Sequence, residues 1–330
     1  KGLETIVGLL VSLVLFDGGL NLRFPGGTIK SIVLRISSIR LIISLAAGVL
    51  AAHWFAGLGW SVAGVYSAIV LATGPTVVTP LVRQIRLASP LSDVLEAEGL
   101  ILEPIGAVLA LLLLELVVGD LHGWKELFLG LLSRLGGGVL IGSIAGLLLS
   151  ECLKRLRSEP YIGIRLQLTL GVVFLLYGVC EWLLPESGLP ASVAAGFVVG
   201  QRPTTQANEL DKLIRELAQL AITMLFPLLA ADVSWGELSP LGLGGITCVF
   251  FLMIVVRPIA VSIATYGLPL DNKQRLFLGW LAPRGIVTAA VASLFSIRLE
   301  QAGVLGAGKL QGLVFLTILM TVGIQGLTAQ

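Results

Sequence analysis

Charged residues are scarce in this sequence of 330 residues. Asp, Glu, Lys and Arg make up only 13% of it, 56% is hydrophobic, and the mean hydropathy is +0.96. Soluble domains carry about 25% charged residues, so the composition excludes an ordinary soluble domain. It indicates a protein that crosses a membrane several times, with the lipid bilayer as its surroundings. The net charge of +2 gives no sign of a nucleic-acid partner.

Cysteine and histidine are also rare. Cys152, Cys180 and Cys248 lie far apart, which excludes a disulfide framework or a zinc site. The only histidines, His53 and His122, lie beside short loops. A proton that crosses this protein must therefore use a carboxylate or water. No nucleophile with its base is apparent, so the sequence indicates neither an enzyme nor a bound cofactor.

Eleven apolar segments follow one another along the chain, and short loops join them. No long polar linker separates them, so residues 1–330 form one all-α, polytopic membrane domain. The segments are 4–20, 33–53, 61–82, 94–118, 127–150, 161–183, 188–201, 212–231, 240–266, 274–297 and 309–328.

Lys and Arg residues indicate how the segments are oriented. Of the 22 cations, fifteen lie in one set of loop regions, including Arg40, Lys154 and Arg215. Five lie in the opposite set, and two lie within apolar segments. The positive-inside rule assigns the first set to the cytoplasm. Residue 1 is then outside and residue 330 is cytoplasmic, in a membrane of the bacterial type.

An acidic residue, Glu103, lies inside the apolar run that ends near Val118. At the centre of a membrane helix such a residue costs roughly 2.5–3.5 kcal/mol on insertion scales. Packing alone does not justify that cost, because Leu or Ala would pack better. Intramembrane acids generally mark ion or proton sites, and Glu103 is therefore the first candidate for one.

Two segments are interrupted in a similar way. The third is broken at Thr73-Gly74-Pro75-Thr76 and the tenth at Ala282-Pro283-Arg284-Gly285. Paired breaks of this kind indicate the binding site of a transporter. The two segments are seven apart and so run in opposite directions, which predicts inverted repeats with two discontinuous, crossing helices. The alternative is a pair of proline kinks without a role.

Five short motifs resemble those of the monovalent cation:proton antiporters, the sodium/proton exchanger family, in its prokaryotic form. They occur in order over essentially the whole chain. The motifs are Phe16-Asp17-Gly18-Gly19-Leu20, Ala72-Thr73-Gly74-Pro75, Glu98 through Pro104, Arg257-Pro258 and Pro283-Arg284-Gly285.

The resemblance implies thirteen helices, of which the first two would precede residue 1. It also implies a homodimer, and a cytosolic nucleotide-binding regulatory domain beyond Gln330. Three positions depart from the motifs. Gly74 stands where the family has Asp, Gly99 where it has Ser, and Leu102-Glu103 where it has Asn-Asp.

Glu103 is the expected binding residue for a proton or a monovalent cation. Oxygen ligands suit a hard cation, so Thr73, Thr76, water and Asp17 are candidate partners; Asp17 is equally readable as an interfacial acid. A buried carboxylate holds a proton or a cation but not both, which makes it a site of exchange. The simplest scheme is electroneutral, one proton for one cation.

Glu98 and Arg257 form the second predicted constellation. The resemblance implies that they pair across helices, and Arg257 at that depth needs an anionic partner in any case. Alternatively, Arg257 extends to the cytoplasmic interface. In either case we expect a structural role for these residues and not one in the chemistry of transport. Arg284 at the second break is expected to offset the helix dipoles there.

The sequence thus predicts a secondary antiporter that exchanges protons for Na⁺ or K⁺ by alternating access. Three alternatives remain: a cation channel, a transporter of a small organic substrate, and a transport-inactive sensor on the same fold.

Overall fold

A computed structural model of the protein describes residues 2–22, 27–156, 162–202, 207–230, 235–268 and 270–329. Within these ranges the chain is helical and contains no strand, so the all-α prediction is confirmed. The helices are α1 Gly2–Asn21, α2 Gly27–Trp54, α3 Trp60–Leu71, α4 Pro75–Gln84, α5 Leu91–Val118, α6 Trp124–Arg155, α7 Ile162–Leu183, α8 Gly188–Gly200, α9 Ala207–Ala230, α10 Trp235–Leu238, α11 Gly242–Phe251, α12 Arg257–Ala264, α13 Asn272–Trp280, α14 Ile286–Gln301, α15 Ala307–Met320 and α16 Gly326–Thr328.

Every predicted apolar segment contains a helix or a pair of helices. In the described part of the chain, six helical stretches are long and apolar enough to cross a membrane, judged by length and composition. They are Lys30–Trp54, Leu91–Val118, Trp124–Arg155, Gly163–Leu183, Ser239–Ala264 and Ala307–Thr328.

The chain divides into two compact units. The first comprises Lys1–Leu22 and Phe128–Leu228, and the second comprises Arg23–Leu127 and Leu229–Gln330. In the first unit α1 packs against α8, and both contact α7. Small residues bring α6 close to α8, since a Cβ on Gly142 would lie 2.1 Å from the carbonyl oxygen of Ala191.

The second unit is built around α5. This helix packs against α2, α3, α4 and α14, and α12 packs against α2. A π-helical turn at Leu252–Val256 joins α11 to α12, and another at Thr321–Gln325 joins α15 to α16. Such turns are common at functional positions, and here each adjoins or contains residues that contact the helix breaks.

Both predicted breaks are present in the second unit. α3 ends at Leu71, and Ala72 and Gly74 are extended, with φ and ψ of −64° and 135°, and of −72° and 112°. α4 then begins at Pro75, a position that needs no backbone donor. In the tenth segment α13 ends at Trp280, residues 281–285 are not helical, and α14 begins at Ile286.

The two breaks contact each other directly through their backbones. The Gly74 N–H donates to the Pro283 carbonyl at 3.1 Å. A Cβ on Gly74 would lie 2.2 Å from the Cα of Gly285 and 2.5 Å from its nitrogen. Since φ of Gly74 is negative, the close approach and not the backbone conformation requires glycine here. The prediction of two discontinuous, crossing helices is confirmed.

Side chains beyond α15 hold the second break in place. The Ala282 N–H donates to Oε1 of Gln325 at 2.9 Å, and the Arg284 N–H to Oγ1 of Thr321 at 3.3 Å. These bonds satisfy backbone donors that the interrupted helix leaves without an intrahelical partner. The break is therefore a fixed part of the unit.

Candidate ion-binding site

Glu103 lies in the middle of α5, where only 1% of its surface is exposed. Neither carboxylate oxygen has a hydrogen-bond partner among the residues that the structure describes. A buried polar group without a partner carries a large desolvation cost, which is greatest for an ionised group. The Glu103 carboxyl group thus lacks the donors that would offset the cost of its burial.

A small cavity adjoins the Glu103 carboxylate. Its volume is about 10 Å³, close to the smallest that admits one water molecule. It lies between α3, α5 and α14, so both broken segments contribute to its wall. Its described lining residues are Ile69, Ala72, Glu103, Ala107, Val287, Thr288 and Val291.

Thr288 supplies the other polar side chain of that lining. The residue is 2% exposed, and its Oγ1 has no hydrogen-bond partner in the described part of the chain. Thr288 is the third residue of α14, directly after the second break. The cavity therefore brings together two buried, unpartnered oxygen-bearing groups, Glu103 and Thr288.

Glu98, on the same helix, has the opposite environment. Its Oε1 accepts from Nη1 of Arg257 at 3.0 Å and its Oε2 from Nη2 at 3.1 Å, which is a bidentate ion pair. Arg40 of α2 also donates to Oε1. All three residues are buried, with exposures of 0% for Glu98, 3% for Arg257 and 0% for Arg40. Charge-assisted bonds of this kind are strong, and this carboxylate is saturated with donors.

Three arginines also bond to the carbonyls that the breaks leave free. Arg40 donates to the Leu71 carbonyl at 3.0 Å, and Arg284 to those of Leu71 at 3.2 Å and Ala72 at 2.8 Å. Arg257 donates to the carbonyls of Leu278 at 3.2 Å and Leu281 at 2.9 Å. Cations at a helix C-terminus satisfy free carbonyls and interact favourably with the dipole. A role for Arg284 in offsetting the helix dipoles stays a prediction.

Thr73 belongs to the arginine cluster in this structure. Its Oγ1 accepts from Nη1 of Arg40 at 2.6 Å and from Nη1 of Arg257 at 3.5 Å. It is absent from the described residues that line the cavity. The Thr76 side chain lies outside the part of the chain that is described. Binding of an ion by Thr73 or Thr76 stays a prediction.

Asp17 lies in the first unit, on α1, and is 6% exposed. Its Oδ1 accepts from Nδ2 of Asn21 at 2.8 Å, and Oδ1 of Asn21 accepts from Nη2 of Arg215 at 2.5 Å. Its burial argues against a purely interfacial acid. A role for Asp17 in ion binding stays a prediction.

Sequence reasoning placed one residue wrongly and missed another. Arg40 was assigned to a cytoplasmic loop, but α2 begins at Gly27, and Arg40 lies fully buried within that helix. Its position inside the apolar segment 33–53 was the available signal. Thr288 was missed because threonine is unremarkable in an apolar helix; its position just after a break was the available signal.

Comparison with known proteins places these features in context. A family model described as "Sodium/hydrogen exchanger, transmembrane" matches residues 1–330. The chain is 26% identical to a "Probable Na(+)/H(+) antiporter 2" of Methanocaldococcus jannaschii over 69% of this chain and 56% of that protein. It is 24% identical to a "K(+)/H(+) antiporter NhaP2" of Shewanella oneidensis over 96% of this chain and 54% of that protein. The chain thus spans about half the length of both relatives.

A solved structure has the same fold. The sodium proton antiporter MjNhaP1 from Methanocaldococcus jannaschii superposes with a TM-score of 0.82 at 23% identity. The match covers 98% of this chain and 85% of that one. At this identity the likeness concerns the fold alone.

Proposed function

Because this chain belongs to the sodium/hydrogen exchanger family of membrane transporters, we propose that it exchanges protons for Na⁺ or K⁺ at the Glu103 carboxylate. The family is one of transporters, so the role is transport and not catalysis. Relatives are named for Na⁺/H⁺ and for K⁺/H⁺ exchange, and both cations therefore belong to the proposal.

One observation carries the proposal: Glu103 is buried beside a cavity, and neither of its oxygens has a described partner. A carboxylate kept for structure would have donors around it, as Glu98 has. An unpartnered carboxyl group needs a proton or a cation to lower its cost of burial. Since one excludes the other, binding of the cation releases the proton, which is the coupling that antiport requires.

The two arginines that pair with Glu98 support an electroneutral exchange, because they leave a single carboxyl group, Glu103, to exchange its proton. Glu98 is already bonded to Arg40 and Arg257, so Glu103 is the carboxyl group left to change its occupant. One proton then leaves for each monovalent cation that binds. A transport rate that responds to an imposed membrane potential would contradict this stoichiometry.

Transport also requires that the site open to one side of the membrane at a time, so we include alternating access in the proposal. The positive-inside rule supports a cytoplasmic C-terminal side in a bacterial cell membrane. Membership of the family is the reason to include a homodimer and a cytosolic nucleotide-binding regulatory domain in the proposal.

The decisive experiment follows a pH-gradient dye in everted membrane vesicles while Na⁺, K⁺ or Li⁺ is added. For the wild-type protein we expect at least one cation to dissipate the proton gradient. Glu103→Gln should abolish the response, because an amide neither titrates nor carries the charge that attracts a cation.

Glu115→Gln is the matched control, since it makes the same change on the same helix. Glu115 is not among the described residues that line the cavity, and we expect this variant to exchange cations like the wild type. Exchange that persists in Glu103→Gln would overturn the assignment of the site. A steady cation current without proton exchange would indicate a channel instead.

A further inference from the structure

Thr288 faces the same cavity as Glu103 and has no assigned role. We propose that its hydroxyl is a ligand of the transported ion, contributed by the second broken segment. The inference rests on the proposed function of Glu103 and extends the site across the two breaks.

Most buried threonine hydroxyls in the described part of this protein bond to the backbone of their own helical stretch. Buried threonines inside its helices donate to the carbonyl four residues earlier. Thr265 donates to Val261 at 2.7 Å, Thr317 to Leu313 at 2.7 Å and Thr321 to Thr317 at 2.7 Å. This bond is the usual one for a threonine within a helix.

Thr288 does not make that bond. The residue four positions earlier is Arg284, which lies in the break, ahead of the N-cap Gly285. The hydroxyl does not bond to the carbonyl of Gly285, three residues earlier, either. The break therefore leaves the Thr288 hydroxyl free to bond to something else.

The cavity offers the Thr288 hydroxyl few polar neighbours. Of the described residues that line the cavity, Glu103 and Thr288 alone carry polar side-chain atoms; the others are Ile69, Ala72, Ala107, Val287 and Val291. Both polar groups are at most 2% exposed and lack partners. Native structures rarely leave such groups unpartnered without a reason.

A single small occupant satisfies both groups in turn. A bare monovalent cation would be bound by the carboxylate and hydroxyl oxygens, which are hard ligands. After exchange, a water molecule in the cavity would bridge the protonated carboxyl group and the hydroxyl group, because the two are not hydrogen-bonded directly. Thr288 is thus suited to both states of the cycle, and it offers an oxygen near Glu103 in a chain that carries Leu102 and Gly74 in place of polar motif residues.

Three variants test the inference in the same vesicles. The measurement is again the response of the pH-gradient dye to an added cation, taken at several cation concentrations to obtain KM. Thr288→Val keeps the shape and removes the oxygen, and Thr288→Ser keeps the oxygen. Thr265→Val is the matched control, because its hydroxyl already bonds to Val261. We expect Thr288→Val to raise the KM for the cation by about tenfold or more. Loss of a group that supports a bound metal typically lowers metal affinity by this factor.

The relative KM values for different cations distinguish the loss of an ion ligand from a packing defect. We expect Thr288→Val to change the ratio of the KM values for Li⁺, Na⁺ and K⁺ with a smaller effect on the maximal rate. Thr288→Ser should restore both, and Thr265→Val should alter neither. A packing defect would lower the maximal rate for all three cations alike.

Binding in detergent gives a second measurement that does not require transport. Thermal unfolding is followed while Na⁺ or Li⁺ is added at constant ionic strength, with choline as the balancing cation. Cation-dependent stabilisation should be present in wild type and Thr288→Ser, and weakened in Thr288→Val. If Thr288→Val fails to fold, Thr288→Ala takes its place.

The outcomes distinguish the two proposals. Wild-type KM values in Thr288→Val, combined with inactive Glu103→Gln, would overturn the role of Thr288 and keep that of Glu103. Absence of any exchange in the wild type would instead overturn the proposed function on which the inference rests.

Discussion

At the scale of single residues, α5 carries two glutamates five positions apart, Glu98 and Glu103, in different environments. That spacing separates them by about 140° around a helix, so they face different neighbours. Glu98 is bonded to Arg40 and Arg257, whereas Glu103 lines a cavity and has no described partner. The first is bonded to two arginines, and the second is the residue at which we propose that the ion binds.

Identical substitutions of these two residues should have opposite effects on stability. Glu98→Gln leaves Arg40 and Arg257 buried without their counterion, and removal of one partner of a buried ion pair typically costs about 3–5 kcal/mol. Glu103→Gln removes a group with no described partner and should leave stability unchanged or raised. Thermal unfolding of the purified protein in detergent measures both.

Glu115→Gln serves again as the control for the substitution itself. Equal destabilisation by Glu98→Gln and Glu103→Gln would contradict the division of roles between the two residues. Loss of cation exchange in Glu103→Gln at unchanged thermal stability would be the clearest result in its favour.

At the scale of helices, the breaks in α3/α4 and α13/α14 meet backbone to backbone. Gly74 and Gly285 lie so close that no side chain fits on Gly74. Arg40 and Arg284 neutralise the carbonyl end of α3, and Arg257 that of α13. The carbonyl ends of two half-helices, α3 and α13, are thereby satisfied inside one unit, as burial in a membrane protein requires.

Gly74→Ala should destabilise the protein and impair exchange, because its Cβ would lie 2.2 Å from the Cα of Gly285. Overpacking costs about 1–3 kcal/mol even where side chains can adjust, and here a backbone has to move. Gly74→Asp should be worse, although it restores the residue of the family motif.

Gly64→Ala provides the control for Gly74→Ala. Gly64 lies on α3, and a Cβ there would meet no atom within 4 Å. Thermal unfolding and vesicle exchange should be unaffected or slightly improved, since Ala favours helix over Gly. Tolerance of Gly74→Asp with full activity would show that the breaks separate easily, against the contact described.

The helical architecture and both breaks could be predicted from the sequence because they depend on local signals. Long apolar runs are typical of membrane helices, and Pro with Gly and Thr interrupts them. The arrangement of side chains could not be predicted in the same way. Whether Thr73 bonds to an arginine or faces the cavity depends on the path of α2, which places Arg40 within reach.

At the scale of the whole molecule, the distribution of Lys and Arg predicts which side faces the cytoplasm. Cys152 allows a direct test with the native chain. It is exposed near the end of α6, beside Lys154 and Arg155, whereas Cys180 and Cys248 are buried.

A membrane-impermeant thiol reagent should label Cys152 in everted vesicles and not in intact cells. This result follows because the Lys154 region belongs to the set of loops assigned to the cytoplasm. Mass spectrometry of the labelled peptide identifies the modified residue, and Cys152→Ser controls for reaction elsewhere. Labelling in intact cells would reverse the orientation.

The cluster around Glu98 also has a consequence for biosynthesis. Arg40 enters the membrane with α2, before α5 has been made, and an unpaired Arg at the centre of a helix costs roughly 2.5–3.5 kcal/mol on insertion scales. Its counterion is supplied only when Glu98 emerges, and Arg257 follows 159 residues later. Insertion of this unit therefore has an order imposed by charge: α2 and α5 pair first, and the completed pair then receives α12.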